Sequence, residues 1–244
     1  MSDSLLELIS IKDIGFYMII NHCTFPEGYL YDAENFSWVN RYTSNDNTAM
    51  VTIGATALLA SLAGKLDSIK IKQVGTNIKK GKNLASLESA KFFGVLRSPL
   101  RGRIVEVNDS IINRPKIVND FPYSEGWFAK LEPYPDNNEK DFEQLETIEN
   151  CRAKMSSLIE QLRIRCFAAS PDYEMFEIGV ECAATLTKLD ELMVKISVGE
   201  IVHLVSDDPT ADLEIMRWSE QNSQLLLETR REGNLFHFII KKIK

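Results

Sequence analysis

The sequence predicts an α+β chain of two folded units, a β-rich sandwich followed by a smaller two-layer α/β unit. Three observations predict it. Residues 23–133 break into short β-prone runs separated by turn-forming clusters. From Asp141 the apolar spacing switches to a helical period, through Phe142, Leu145, Ile148, Met155, Leu158, Ile159 and Leu162. After Pro171 the segments alternate as strand, helix, strand, helix, strand, strand. The expected boundaries are 1–137 for the first unit, 138–170 for a joining amphipathic helix and 171–244 for the second unit. "AASP" (Ala168 to Pro171) marks the break, because proline is poor at extending a helix.

In the first unit "GYLYD" and "AMVTIG" have strand composition, and "TSNDN" (Thr43 to Asn47) is a turn between runs. "ATALLASLAGK" (Ala55 to Lys65) has helix formers at apolar spacing, with Gly64 as its stop. "VGTNIKKGKNLASLES" and "SPLRGRIVEVND" each set a glycine-punctuated turn beside a short apolar strand, as two related halves of one sheet sandwich. In the second unit "YEMFEIG" is strand-like, and Cys182–Ile196 places Leu186, Leu189, Met193 and Ile196 on one helical face. "EIVHLVS" reads as a strand. "DDPTADLEIMRWSEQN" opens a helix with Asp208 as N-cap and Pro209 at the first helical position. "QLLLETRRE" and "LFHFIIKKI" form a hairpin closed around Gly233–Asn234.

Composition bounds the function. A chain of 244 residues, 44% hydrophobic and 26% charged, is an ordinary soluble globular protein with room for two cores. Its net charge of −7 argues against nucleic acid as a partner, since that role needs a basic face. Residues 171–244 hold fourteen acids and eight bases, so −6 of the charge lies there and −1 on the rest. No run reaches the ~18 apolar residues of a membrane span. "IGFYMII" (Ile14 to Ile20) has neither a basic flank nor a small-residue cleavage site, and so is not read as a signal peptide. The four cysteines, Cys23, Cys151, Cys166 and Cys182, are scattered without CxxC spacing. That pattern predicts no metal site, no disulfide framework and a reducing, cytoplasmic setting. Cys151 and Cys166 fall on the joining helix as packing residues, and His22 and Cys23 diverge on a strand. His203 and His237 read as packed or surface groups of strands. The sequence shows no nucleophile elbow, phosphate loop or carboxylate pair.

One lysine stands apart. "LESAKFFGVL" (Leu87 to Leu96) puts Lys91 between two β-prone runs, with Glu88 three residues before it and Gly94 three after. A hairpin tip suits a modified lysine, because it projects the side chain while the paired strands hold the backbone. Acylation removes the charge and roots a long flexible arm there, which raises effective concentration at successive active sites. Around Lys91, residues 74–133 run "VGTNIKKGKNLASLESAKFFGVLRSPLRGRIVEVNDSIINRPKIVNDFPYSEGWFAKLEP". This stretch, with its "VG…KKG" opening, "ES-x-K" turn and "PY-x-EGW" tail, resembles the lipoyl-carrying H protein of the glycine cleavage system. "YLYDAENFSWV" and "VTIGATALLASLAGKLDSIKIKQVG" follow the same order upstream, so the resemblance covers residues 23–135. It implies a lipoyl/biotinyl hammerhead sandwich and lipoate attached to Lys91. It also implies Glu88 beside it for recognition by a lipoate-protein ligase, and Gly75 and Gly102 shaping the hairpin's supports. One departure is that the family's histidine–glutamate–tryptophan segment reads Phe36–Ser37–Trp38 here. "CTFPEGYLYD" looks more like the H-like proteins associated with sulfur metabolism.

Cys182 opens the first helix of the second unit. Helix N-termini carry unpaired N–H groups and partial positive charge, which can lower a thiol pKa below ~8.5. "GVEC" (Gly179 to Cys182), "VGE" (Val198 to Glu200) and "SDDP" (Ser206 to Pro209) make residues 173–244 resemble the TusA family of small sulfur carriers. The resemblance implies a βαβαββ fold with a persulfide carried on Cys182. The family's Cys-Pro-x-Pro is here Cys182–Ala183–Ala184–Thr185, without the prolines that pre-set the first turn. The two resemblances together imply a carrier rather than a turnover enzyme, with sulfurtransferase activity left open for the second unit: a lipoylated swinging arm that carries sulfur, served by sulfurtransferases and a heterodisulfide reductase-like complex. The alternatives are an H protein shuttling an aminomethyl group among the glycine cleavage P, T and L proteins, and an unmodified docking protein.

Overall fold

The computed structural model describes residues 16–134 and 138–244. The start of the Ile14–Ile20 run lies outside them; the rest forms β1 (Tyr17–Ile20), which turns through Asn21 and His22, both at positive φ, into β2 (Cys23–Pro26). His22 thus sits in a turn and not on the expected strand. There follow β3 (Leu30–Asp32), β4 (Ser37–Thr43), β5 (Ala49–Ala55), α1 (Ala57–Ala63), β6 (Leu66–Ile71), β7 (Asn77–Ile78), β8 (Asn83–Ser89), β9 (Phe93–Arg97) and β10 (Gly102–Val107). Two short helices, α2 (Asp109–Asn113) and α3 (Ile117–Asp120), lead to β11 (Trp127–Pro133). Next come α4 (Asn138–Phe142), β12 (Glu146–Thr147) and α5 (Ile148–Gln161). The remaining elements are β13 (Tyr173–Glu177), α6 (Cys182–Lys195), β14 (Ile201–Ser206), α7 (Ala211–Gln221), β15 (Leu225–Glu232) and β16 (Leu235–Lys241).

The first part is a sandwich. A seven-stranded sheet, order β12-β3-β4-β5-β11-β10-β7, shares one apolar core with the three-stranded sheet β6-β8-β9. Val39, Val51 and Ile53 come from the larger sheet and Leu84, Leu87 and Leu96 from the smaller, by the alternation of a strand with one buried face. A second cluster joins Phe25, Tyr31, Trp38 and Leu58 to Ile148, Cys151, Met155 and Ile159 of α5. Gly54 is required there, since a Cβ would lie 2.3 Å from the Trp38 ring.

That second cluster corrects the expected joining helix over 138–168. The helical periodicity is real for α5, but β12 interrupts the segment by pairing with β3 (Glu146 opposite Tyr31), and Asp141 is drawn to Arg101 (2.9 Å). The helix ends at Leu162, where Arg163 turns left-handed (φ 51°). The segment therefore belongs to the core of the first unit. Cys166, beyond the helix, is bonded to Cys23 across 143 residues, which overturns the expectation of no disulfide. Sequence spacing does not disclose a pair that only the packing of α5 into the cluster of Phe25, Tyr31 and Leu58 brings together.

The second sheet has the expected element order. β13 and β14 are parallel, β14–β16 and β16–β15 antiparallel, giving β13-β14-β16-β15. Both helices lie on one face, where Met175, Val202, Leu204 and Phe238 pack on Leu189, Met193, Ile215 and Trp218. Alternation places Glu174, Phe176, His203 and His237 on the other face. Residues 164–172 cover it: the Phe167 ring lies 4.5 Å from His203, Arg230 donates to Cys166 O (2.7 Å), and Ala168 N donates to Glu228 (2.7 Å). Helix α7 starts at Ala211 with Thr210 as N-cap, later than expected. Asp208 is used otherwise, accepting from Thr210 N (2.8 Å) and from Cys182 N (2.8 Å).

Candidate functional site

Strands β8 and β9 pair up to Glu88 opposite Phe93, and Ser89 N donates to Phe92 O (2.8 Å) to close the turn. Ser89 also fastens it sideways: its hydroxyl donates to Ala63 O (2.7 Å) at the end of α1 and accepts from Lys91 N (3.3 Å). The end of α1 is itself held. Asn119 donates to Ala60 O (2.9 Å) and Gly64 O (2.7 Å) and accepts from Leu66 N (3.0 Å). Gly64 has φ 67° and leaves room for the lysine's methylenes, as a Cβ there would lie 2.7 Å from Lys91 Cε. The result is a projecting Lys91 on a backbone braced from two sides. Its side chain is 53% exposed and its ammonium donates to both Glu174 oxygens (2.7 and 2.8 Å) on β13.

Glu88 is exposed beside the turn, opposite exposed Phe93. Gly75 and Gly102 are placed elsewhere. Gly75, at φ 86°, turns the chain into β7 and donates to Ile104 O (2.7 Å), while Gly102 admits β11, because a Cβ would lie 2.5 Å from Glu132 O. Both shape the larger sheet, which leads into the hairpin but does not touch its tip. Trp38 is buried and donates to Ala55 O (2.9 Å) and Pro122 O (3.0 Å), so it is a structural residue of the sandwich.

Cys182 departs from expectation. It is the first residue of α6 but is only 7% exposed, and burial, then the carboxylates of Asp208 and Glu214, raise its thiol pKa. Its backbone N–H is already taken by Asp208, so an anion occupies the positive end of the helix before the sulfur can. Cys182 does not line the cavity beside Lys91, and the structure does not bring the two together.

That cavity, of about 620 Å³, lies between the lysine turn, the end of α1, residues 162–172 and the open face of the second sheet. His203 and His237 line it, joined Nε2 to Nδ1 at 2.9 Å, a pairing that sequence position gave no sign of. Burial, reinforced by the neighbouring imidazole, lowers the His203 pKa to about 4, and burial lowers that of His237. Groups of both signs surround the pair, with Glu174, Glu232 and Glu228 against Lys91, Arg165 and Arg230. A folded pKa below the unfolded value means that the unfolded chain takes up the proton first. The His203 contribution is therefore complete above about pH 6.5 and is lost as pH falls toward 4. The expected loss is about 3 kcal/mol between neutral pH and about pH 4. It is measured as the difference in urea-unfolding pH dependence between wild type and His203→Gln; parallel curves would refute it.

A braced hairpin that projects one exposed lysine from a β-sandwich has the form that a carrier of a covalently held group needs. The model of the family described as "Glycine cleavage H-protein" matches residues 30–158. Among curated proteins the chain is 39% identical to glycine cleavage system H protein 2 of Aquifex aeolicus, over 59% of this chain and 86% of that protein. It is 30% identical to probable glycine cleavage system H protein 2 of Sulfurisphaera tokodaii, over 60% of this chain and 96% of the other. A solved H-protein structure from Mycobacterium marinum is 26% identical over 45% of this chain and 86% of its own, with a TM-score of 0.41. The chain belongs to the glycine cleavage H-protein family, whose members carry lipoate covalently on a lysine. The match runs past residue 135 into α5, as the packing of that helix in the sandwich requires. No helix among the described residues is long and apolar enough to cross a membrane.

Proposed function

We propose that the chain is a lipoyl carrier whose arm stands on Lys91 and whose cargo is sulfur, handled together with the unit formed by residues 171–244. The observation that carries the attachment site is the β8–β9 turn. It holds Lys91 outward on a backbone fixed by Ser89 and Asn119, inside the part of the chain that matches the family. Glu88 and Phe93, exposed side by side next to it, are the surface offered to a lipoate-protein ligase. When attached, lipoate would supply a dithiolane in two oxidation states: its reduced dithiol would take sulfane sulfur from a persulfide and release the donor's thiol, whereas in glycine cleavage the oxidised disulfide takes the aminomethyl carbon, its S–S bond breaking as the S–C bond forms and CO2 leaves.

The sulfur reading is supported by the βαβαββ order of the second unit, similar to TusA-like sulfur carriers, with a cysteine at the start of its first helix. Because Cys182 is a buried thiol held protonated, separate sulfurtransferases are the proposed donors and a heterodisulfide reductase-like complex the acceptor. The second reading, an aminomethyl shuttle among P, T and L proteins, is favoured by the names of the relatives. A cytoplasmic setting is kept in the proposal, since disulfides also occur in intracellular proteins of hyperthermophiles.

Co-expression with a lipoate-protein ligase, followed by intact mass and peptide mapping, is expected to show one lipoyl group on Lys91; an unmodified chain refutes the proposal. The cargo is then decided on the lipoylated protein. A sulfur adduct after incubation with a persulfide donor supports sulfur, and support of glycine decarboxylase exchange instead selects the aminomethyl reading.

A further inference from the structure

We infer that Cys23 and Cys166 are a redox pair whose bond is made by the chain's own lipoyl arm through thiol–disulfide exchange. This goes beyond the reading that Lys91 is lipoylated and rests on it.

The reach is set by α1. At its C-cap, Gly64 lies under the Lys91 side chain, so close that a Cβ there would stand 2.7 Å from Cε. One turn back along the same helix, the Ser61 hydroxyl donates to Cys166 Sγ at 3.5 Å. That turn is about 4.5 Å of axial rise, which the methylene chain of a lipoyl group spans. Lys91, Gly64, Ser61 and Cys166 all line one cavity, so the path is open space and not packed interior. Cys23 is 0% exposed and is met through Cys166, its bonded partner.

With the pair reduced and the arm oxidised, the Cys166 thiolate attacks one ring sulfur of the arm. The ring S–S bond breaks as the Cys166–arm bond forms, and the second ring sulfur leaves and takes the proton that Cys166 gave up. The Cys23 thiolate then attacks Cys166 Sγ, and the first arm sulfur leaves and takes the Cys23 proton. Two electrons and two protons pass to the arm. The cysteine pair is oxidised to the disulfide of the structure and the arm is reduced to its dithiol. Ser61 favours the attacking form, since a hydrogen bond to a thiolate stabilises its charged state. Packing favours the product. Both cysteines lie in one cluster with Phe25, Leu58 and Ile148, and structural disulfides sit at the reducing end of biological potentials. The arm also supplies what the proposed cytoplasmic setting lacks, an oxidant for a disulfide. It is left as the dithiol that takes sulfane sulfur.

The test compares the full chain, lipoylated by ligase and checked by intact mass, with the same chain made without ligase and mixed with equimolar free dihydrolipoamide. Both samples are fully reduced, freed of reductant without oxygen and given one molar equivalent of diamide. Aliquots are quenched with a maleimide, and disulfides are located by peptide mapping. The tethered arm, at millimolar effective concentration against about 10 µM free dihydrolipoamide, is expected to deliver the bond to Cys23–Cys166 about a hundredfold faster. Its rate should not change on dilution of the protein. Equal rates, or a bond that stays on the arm, in a chain of the lipoylated mass overturn the exchange alone. So does a reduced chain that has lost its near-ultraviolet circular dichroism, because the path along α1 then does not exist. A chain that gains no mass overturns the attachment reading and the exchange with it.

Discussion

Lys91→Arg is expected to abolish lipoylation completely while leaving the urea-unfolding midpoint unchanged. Ligation needs a neutral amine as nucleophile, and a guanidinium, protonated throughout the working range, supplies none. Arginine nevertheless keeps the positive charge and can still reach Glu174. The ion pair it replaces is largely solvent-exposed, and such pairs contribute at most about 1 kcal/mol. The discriminating neighbour is Lys65, which lines the same cavity but is engaged by Asp172 at 3.2 Å. Burial works against the Lys65 cation, but the hydrogen bond and charge of Asp172, together with Tyr173 and Glu200, outweigh it and raise the pKa, so this amine resists neutralisation. Intact mass and peptide mapping of wild type and Lys91→Arg, each expressed with the ligase, decide the matter. An adduct that persists in the variant, on Lys65 or elsewhere, would show that the turn does not define the attachment site.

The parts of this molecule that could be read from sequence are those fixed by neighbours along the chain. Strand β14, the hairpin β15–β16 around Gly233–Asn234 and the stop of α1 at Gly64 follow from local pattern and turn chemistry. The projecting Lys91 was legible for the same reason. What sequence reasoning missed depends on groups far apart in the chain. Asp208 looked like a helix cap because its local context was right. The fold instead brings it to the start of α6, where its carboxylate takes the N–H of Cys182 and, with burial, keeps the thiol protonated. Asp141 and Glu146 sat within a run of helical period, yet the pull of Arg101 and of β3 broke that run. Glu174, the partner of Lys91, lies 83 residues away and is marked by no motif. His203 and His237 could each be placed on a strand, but their pairing follows from the antiparallel register of β14 and β16.

Replacing both cysteines of the Cys23–Cys166 link by alanine is expected to cost about 3–5 kcal/mol. Closing a loop of 143 residues removes unfolded-state entropy worth about 5 kcal/mol in the chain-entropy account. Residual structure in the unfolded chain reduces the realised value. Alanine is the informative substitution because Cys23 is 0% and Cys166 7% exposed, in a cluster with Phe25, Leu58 and Ile148. A serine there would add the cost of burying a hydroxyl. Urea unfolding of oxidised wild type, reduced wild type and the double variant separates the contributions, since reduction removes the cross-link and keeps the sulfur packing. Reduced wild type should lose most of the difference; equal midpoints for oxidised and reduced protein would refute a stabilising link. The consequence reaches the lysine site, because Cys166 anchors the segment that carries Phe167 and Ala168 across the open face of the second sheet. With the link gone, that covering is held by the Arg165–Glu232 pair, the contacts of Arg230 and Glu228, and the Lys65 and Lys116 pairs to Asp172. Hydrogen exchange over residues 164–172 should therefore quicken more than exchange in β14 or β16, placing the first loss of structure at the wall between Lys91 and the histidine pair.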